Sequence, residues 1–189
     1  TKSTNKYFRA EFNKLRLEFE DENYFKNKLF LSFLYKERAI ISEVKSDFLI
    51  NKHNYFKLNS YINSEAKIFH IASNYGQIDV LLSMQQSKRK IKTYIADLEK
   101  RDIANSNYLV QKYSINYVES IQNTIAENDT LLISDANLNV ELVSDYLNNF
   151  QNIILFNSSN LLPKFEQISF EIISKEDKII VLKNKISER

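Results

Sequence analysis

The sequence predicts an α/β chain: a Rossmann-like, mostly parallel seven-stranded sheet with helices on both faces, a closing antiparallel hairpin and a helical N-terminal extension. Three observations predict it. From residue 67 onward, short β-branched runs alternate with amphipathic stretches, as βα units of a parallel sheet do. Near the end, Lys175-Glu176-Asp177 separates two further apolar runs in the manner of a hairpin turn. The only glycine among 189 residues, Gly76, stands just after the apolar run Ile68-Phe69-His70-Ile71-Ala72, where strand should pass into helix.

The elements follow in order. Phe8, Phe12, Leu15 and Phe19 recur at spacings of four, three and four, one face of a helix. Further helical runs pass through Phe25, Leu29, Phe33 and Leu34, then Ile40, Ile41, Val44 and Phe48, with a short element over Tyr55–Ile62. These make residues 1–66 a helical N-terminal cap and residues 67–189 the Rossmann-like domain. In the second part, Lys67–Ala72, Ile91–Ala96, Ile115–Val118, Thr130–Ser134, Ile153–Phe156, Phe170–Ser174 and Lys178–Lys183 read as strands. Gln77–Gln86, Glu99–Lys112 and Val140–Phe150 read as helices, and Pro163 falls in the linker before the hairpin.

Composition bounds the chemistry. Apolar residues at 43% and charged residues at 26% are a globular balance. Without cysteine there is no disulfide framework and no thiolate ligand or nucleophile. His53 and His70 are too few and too far apart in sequence to suggest zinc, so no metal site is expected. No apolar run reaches the 18 residues that a membrane span needs. The net charge of +2 gives no argument for nucleic acid, so no such partner is expected. Residues 1–60 carry 12 Lys/Arg against 8 Asp/Glu, which reads as the solvated outside of a helical layer.

A chain this long carries about 13 glycines on average composition. Lys, Asn, Ile, Phe and Tyr abound, so AT-rich coding accounts for much of the loss. It does not account for where the survivor sits. A glycine at a strand-to-helix turn answers a positive φ or a close approach of backbone to a ligand or neighbour.

Three strand ends carry a further pattern: His70-Ile71-Ala72-Ser73-Asn74-Tyr75-Gly76, Tyr94-Ile95-Ala96-Asp97 and Leu132-Ile133-Ser134-Asp135-Ala136. With the closing hairpin, they resemble the class I S-adenosylmethionine-dependent methyltransferases. That resemblance covers residues 67–185. It implies that Ala72, Asn74, Tyr75 and Gly76 line the cofactor's aminocarboxypropyl end, that Asp97 accepts the ribose hydroxyls, and that Asp135 faces the methyl-transfer centre. Departures are plain: His70 replaces the family's acidic residue, and Ala72 and Asn74 replace its first two glycines. Asn74 is the best non-glycine residue for a positive φ. His70 is either a general base or a hydrogen-bonded wall residue.

The implied function is methyl transfer from S-adenosylmethionine to a small-molecule or lipid-linked substrate, with His70 or Asp135 taking the proton. A non-catalytic scaffold that kept the fold and lost the cofactor is the alternative, and a dinucleotide oxidoreductase fits the hairpin and glycine spacing less well. The chain is also similar to the C-terminal domain of large bacterial proteins joining a lipid transporter, an acyltransferase and a methyltransferase-like domain. That similarity implies covalently joined neighbours and a cytoplasmic location, at the cytoplasmic face of the inner membrane. Lys88-Arg89-Lys90 reads as a solvated turn, and Asn157-Ser158-Ser159-Asn160 as a polar loop beside the expected pocket.

Overall fold

The computed structural model describes residue 54 and residues 57–106, 110, 111, 113–122, 124–166, 170–176 and 178–185. The helices read before residue 54, and His53, lie outside the described residues. Five strands are parallel: β1 (Lys67–Ala72), β2 (Lys90–Ile95), β3 (Asn116–Tyr117), β4 (Thr130–Ile133) and β5 (Asn152–Phe156). β6 (Phe170–Glu176) and β7 (Ile179–Asn184) form the closing antiparallel hairpin, and β7 inserts beside β5. The order is β3-β2-β1-β4-β5-β7-β6, the seven-stranded architecture that the sequence predicts.

Alternation along the strands divides the core. Phe69 and Ile71 of β1, Leu131 and Ile133 of β4, and Ile153 and Leu155 of β5 face one side, where they pack with Val143, Leu147, Phe150 and Phe165. On the other side Ala72 and Ile95 pack against Ala104 of α2 (Leu98–Asn105) and against Tyr117. α1 (Gln77–Gln85) follows β1, and α3 (Leu162–Glu166) precedes the hairpin. Pro163 lies in the first turn of α3, where its missing N–H leaves no helical bond unmade.

Two helical expectations change. The stretch Val140–Phe150 forms two 3-10 segments, Val140–Leu142 and Ser144–Asn149, in place of an α-helix. Its apolar positions Val140, Val143, Leu147 and Phe150 are buried at helix-like spacing. Ser144, Asp145, Asn148 and Asn149 are poor interior helix formers, and the tighter turns bury the same face over a short span. The helix expected over Glu99–Lys112 has α2 ending at Asn105.

The turn Lys88-Arg89-Lys90 departs most from its expectation, because Arg89 is buried. Its Nε donates to Asn63 O at 3.0 Å, Nη1 to Asn59 Oδ1 at 2.5 Å and Leu82 O at 3.1 Å, and Nη2 to Asn59 O at 3.2 Å and Ile62 O at 2.5 Å. Burial pushes the guanidinium down to about 10, still charged at neutral pH. Arg89 thus ties residues 59–63 to the C-terminal end of α1.

Left-handed backbone occurs at three described residues: Gly76 (φ +87), Ser114 (φ +56) and Asn157 (φ +53). Ser114 closes a helical turn, with its N–H on Gln111 O and the Ile115 N–H on Val110 O, a position that glycine usually takes.

Candidate functional site

The strand order reverses between β1 and β4, so the chain leaves their C-terminal ends in opposite directions and opens a crevice there. The β1–α1 loop, Asp97 after β2 and Asp135 after β4 all reach this edge of the sheet. The topology therefore brings together the residues that the sequence singled out.

Gly76 is the N-cap of α1. A β-carbon built on it would overlap the Tyr117 hydroxyl and lie 3.3 Å from the Ala104 β-carbon. In a dinucleotide fingerprint the third glycine serves close packing of helix and strand, while the second lets backbone approach the ligand. Gly76 holds the packing role. Asn74 is not among the residues of positive φ; its Oδ1 instead accepts the Gly76 N–H at 3.3 Å. The Tyr75 N–H goes to Gln77 Oε1 at 3.0 Å. Lys100 of α2 donates to Ser73 O at 3.1 Å and stands 5.0 Å from the Tyr75 ring centre, a cation–π distance.

Asp97 caps α2, accepting the Lys100 N–H on Oδ1 at 3.0 Å. It is exposed, and its second oxygen takes no bond among the described residues. Asp135 is half-buried and accepts the Asn137 N–H at 3.0 Å. In the loop after β5, Ser158 is buried on Phe156 O, and Asn160 donates to Ala136 O at 2.8 Å. Those two side chains tie the loop after β5 to its own strand end and to the loop after β4.

Beneath the edge lies a polar network that sequence reasoning did not assemble. Tyr117, Thr93, His70 and Leu132 are register partners across β3, β2, β1 and β4, so they share one face of the sheet. Asp79 of α1 comes down onto this row. His70 Nδ1 meets Asp79 Oδ1 at 2.6 Å, and the Tyr117 hydroxyl donates to Asp79 Oδ2 at 3.1 Å. His70 Nε2 lies 2.7 Å from Ser134 Oγ, at the end of β4. His70 and Asp79 are both 0% exposed. Burial, reinforced by the Asp79 charge, holds the Tyr117 phenol well above the ordinary value, so it remains a donor. His70 is therefore completely enclosed, with both ring nitrogens engaged; it touches no open space itself. Asp79 and Tyr117 were signalled in the sequence only as one acidic residue in a helix and one aromatic in a strand.

Among the described residues no cluster of His, Cys, Asp and Glu could hold a metal ion, and no helix is long and apolar enough to cross a membrane.

No family model matches the chain, and no curated protein sequence is detectably similar to it. Solved structures are similar in fold. M. capricolum TrmK, determined with S-adenosyl-homocysteine, is 15% identical with a TM-score of 0.52, over 70% of this chain and 68% of that one. The B. subtilis m1A22 tRNA methyltransferase TrmK is 12% identical with a TM-score of 0.53, over 69% and 64%. The precorrin-6y C5,15-methyltransferase of Geobacter metallireducens is 11% identical with a TM-score of 0.50, over 67% and 84%. One expectation is corrected by these likenesses. A tRNA methyltransferase stands among the similar structures, so the exclusion of a nucleic-acid partner does not hold. Net charge averages over the whole surface and carries no information on one local face. At these identities the likeness extends to architecture: residues 67–184 have a class I S-adenosylmethionine-dependent methyltransferase-like fold.

Proposed function

We propose that the chain is an S-adenosylmethionine-dependent methyltransferase whose cofactor lies across the C-terminal ends of β1 and β2. The observation that carries this reading is the convergence of the β1–α1 loop, Asp97 and Asp135 on one edge beside the β1/β4 reversal. The donor set suits the group. Asp97 offers a spare carboxylate oxygen for the ribose diol, and the Asn74 side chain, whose Oδ1 holds the Gly76 N–H, adds an amide donor in the β1–α1 loop. The cofactor, when bound, supplies an electrophilic methyl group. The protein's part is to align a nucleophile with it and to take up the proton released.

A second reading has its own support. The loop amides of Tyr75 and Gly76 are satisfied by Gln77 and Asn74, and two of the resemblance's three glycine places carry side chains. A loop closed on itself in this way suits a scaffold that retains the fold without cofactor.

Calorimetric titration with S-adenosylmethionine and S-adenosylhomocysteine separates the two. The methyltransferase reading expects a Kd of about micromolar and at least a tenfold loss, ~1.4 kcal/mol, in Asp97→Ala. Silence up to about millimolar cofactor selects the scaffold. Incubation with a labelled methyl donor and, in turn, tRNA, lipid and small-molecule acceptors then identifies the acceptor class.

A further inference from the structure

The completely buried pair of His70 and Asp79 has a direction. Asp79, as a carboxylate, only accepts, and it takes the Tyr117 hydroxyl on one oxygen and His70 Nδ1 on the other. Nδ1 therefore carries the ring proton. With one proton on the ring, Nε2 is a bare acceptor, and the Ser134 hydroxyl 2.7 Å away donates to it. The bonds run in one sense, from Ser134 through His70 to Asp79.

Ser134 is the outer member of this chain. It stands 9% exposed at the C-terminal end of β4, against fully enclosed His70 and Asp79. The Ser73 hydroxyl bonds to its carbonyl at 3.2 Å, which draws the β1–α1 loop alongside. Half-buried Asp135 and Ala136 follow it at the crevice. A hydroxyl that donates to an imidazole, itself held by a buried carboxylate, is the arrangement that activates serine in hydrolytic enzymes of unrelated fold.

We propose that Asp79, His70 and Ser134 form a proton relay that makes Ser134 Oγ the activated, proton-accepting group of the crevice between β1 and β4. Its partner is a substrate bearing an O–H or N–H nucleophile. In methyl transfer that proton passes to Ser134 Oγ while the serine's own proton moves to His70 Nε2. The methyl group bonds to the nucleophile, the broken S–C bond's electron pair stays on sulfur, and the imidazolium is left beside the Asp79 carboxylate. Ser134 would touch substrate; His70 and Asp79 act through it as positioning residues. The use in methyl transfer rests on the function proposed above, whereas the activation of Ser134 does not.

Diisopropyl fluorophosphate tests the activation directly. Ser134 Oγ would bond to phosphorus, fluoride would leave, and the hydroxyl proton would pass to His70. Intact mass and peptide mapping of the whole 189-residue chain should show one adduct, on Ser134, absent from Ser134→Ala. His70→Gln should slow labelling about a hundredfold, the usual worth of a positioned base. Asp79→Asn should slow it by at least tenfold, and circular-dichroism melting checks that each variant is folded. No adduct on Ser134 in the unaltered protein overturns the relay without recourse to any variant, and so does an unchanged rate in folded His70→Gln or Asp79→Asn. Titration with S-adenosylmethionine runs in parallel. Its silence overturns the methyltransferase reading alone and leaves the labelling result to decide the relay.

Discussion

The Tyr117 hydroxyl fills the space in which a β-carbon on Gly76 would stand, so the chain's one glycine makes room for a side chain 41 residues downstream in register with β2. Gly76→Ala combines that overlap with left-handed backbone strain of about 1–2 kcal/mol. It should lower stability by at least about 3 kcal/mol in urea denaturation. Tyr117→Phe in the same chain removes the overlapping oxygen, so Gly76→Ala should cost less when measured against Tyr117→Phe alone, leaving the backbone part and the 3.3 Å contact with Ala104. An additive pair, with no coupling in the double-mutant cycle, would show that the tyrosine is not what demands the glycine.

Tyr117 also sets an alkaline limit. Its folded-state value lies above the unfolded one, so the neutral phenol is favoured by folding. That contribution is complete below the unfolded value near 10 and is lost as pH rises through the folded value. Stability should therefore fall above about pH 10. Tyr117→Phe should flatten that fall, and ultraviolet titration should find one phenol ionising last, only with unfolding.

Arg89→Met removes a buried cation and takes the donor from Ile62 O and Asn59 Oδ1, while Asn59 O, Asn63 O and Leu82 O keep the N–H groups of Ile62, Ala66 and Gln86. The expected loss is about 3 kcal/mol or more, since each buried acceptor left unpaired costs roughly 1–3 kcal/mol. Chemical denaturation measures it. A change below about 1 kcal/mol would mean that those carbonyls find water instead.

Ser114 and Asn157 hold left-handed backbone without being glycine. Ser114→Gly should raise stability by about 0.5–1 kcal/mol, the strain released less the entropy of the freer unfolded chain. A shift of Tm upward by about 1–4 °C for a chain of this size checks it.

The central β-strands were legible because burial on both faces of a parallel sheet writes a short continuous apolar run into the chain, and β1 spans Lys67–Ala72 as read. The edge that gathers the β1–α1 loop, Asp97 and Asp135 was legible too, since right-handed crossovers force strand ends to one side. What those residues do locally was not. Asp97 spends one oxygen on its helix cap, and Asn74 spends its carbonyl on the loop. His70 finds partners 9 and 64 positions away, a pairing that only the folded register creates. Arg89 was least legible of all. All but one of its acceptors are main-chain carbonyls, which no side-chain pattern announces. Residues 140–150 show the reverse limit: the apolar spacing was right, and the choice between α and 3-10 turns lay in their short, polar-rich span.

β3 contributes only Asn116 and Tyr117, paired to Lys92 and Thr93. A two-residue edge strand held by its ladder alone would open readily, exchanging its amide hydrogens with solvent long before the central strands. Here the edge is bolted to the middle of the sheet: Tyr117 reaches Asp79, Asp79 reaches His70, and His70 reaches the end of β4. Opening β3 must therefore pull a donor off a buried carboxylate. The weakest strand of the sheet and its centre become one cooperative unit, and a disturbance at either the crevice or the edge is felt at the other.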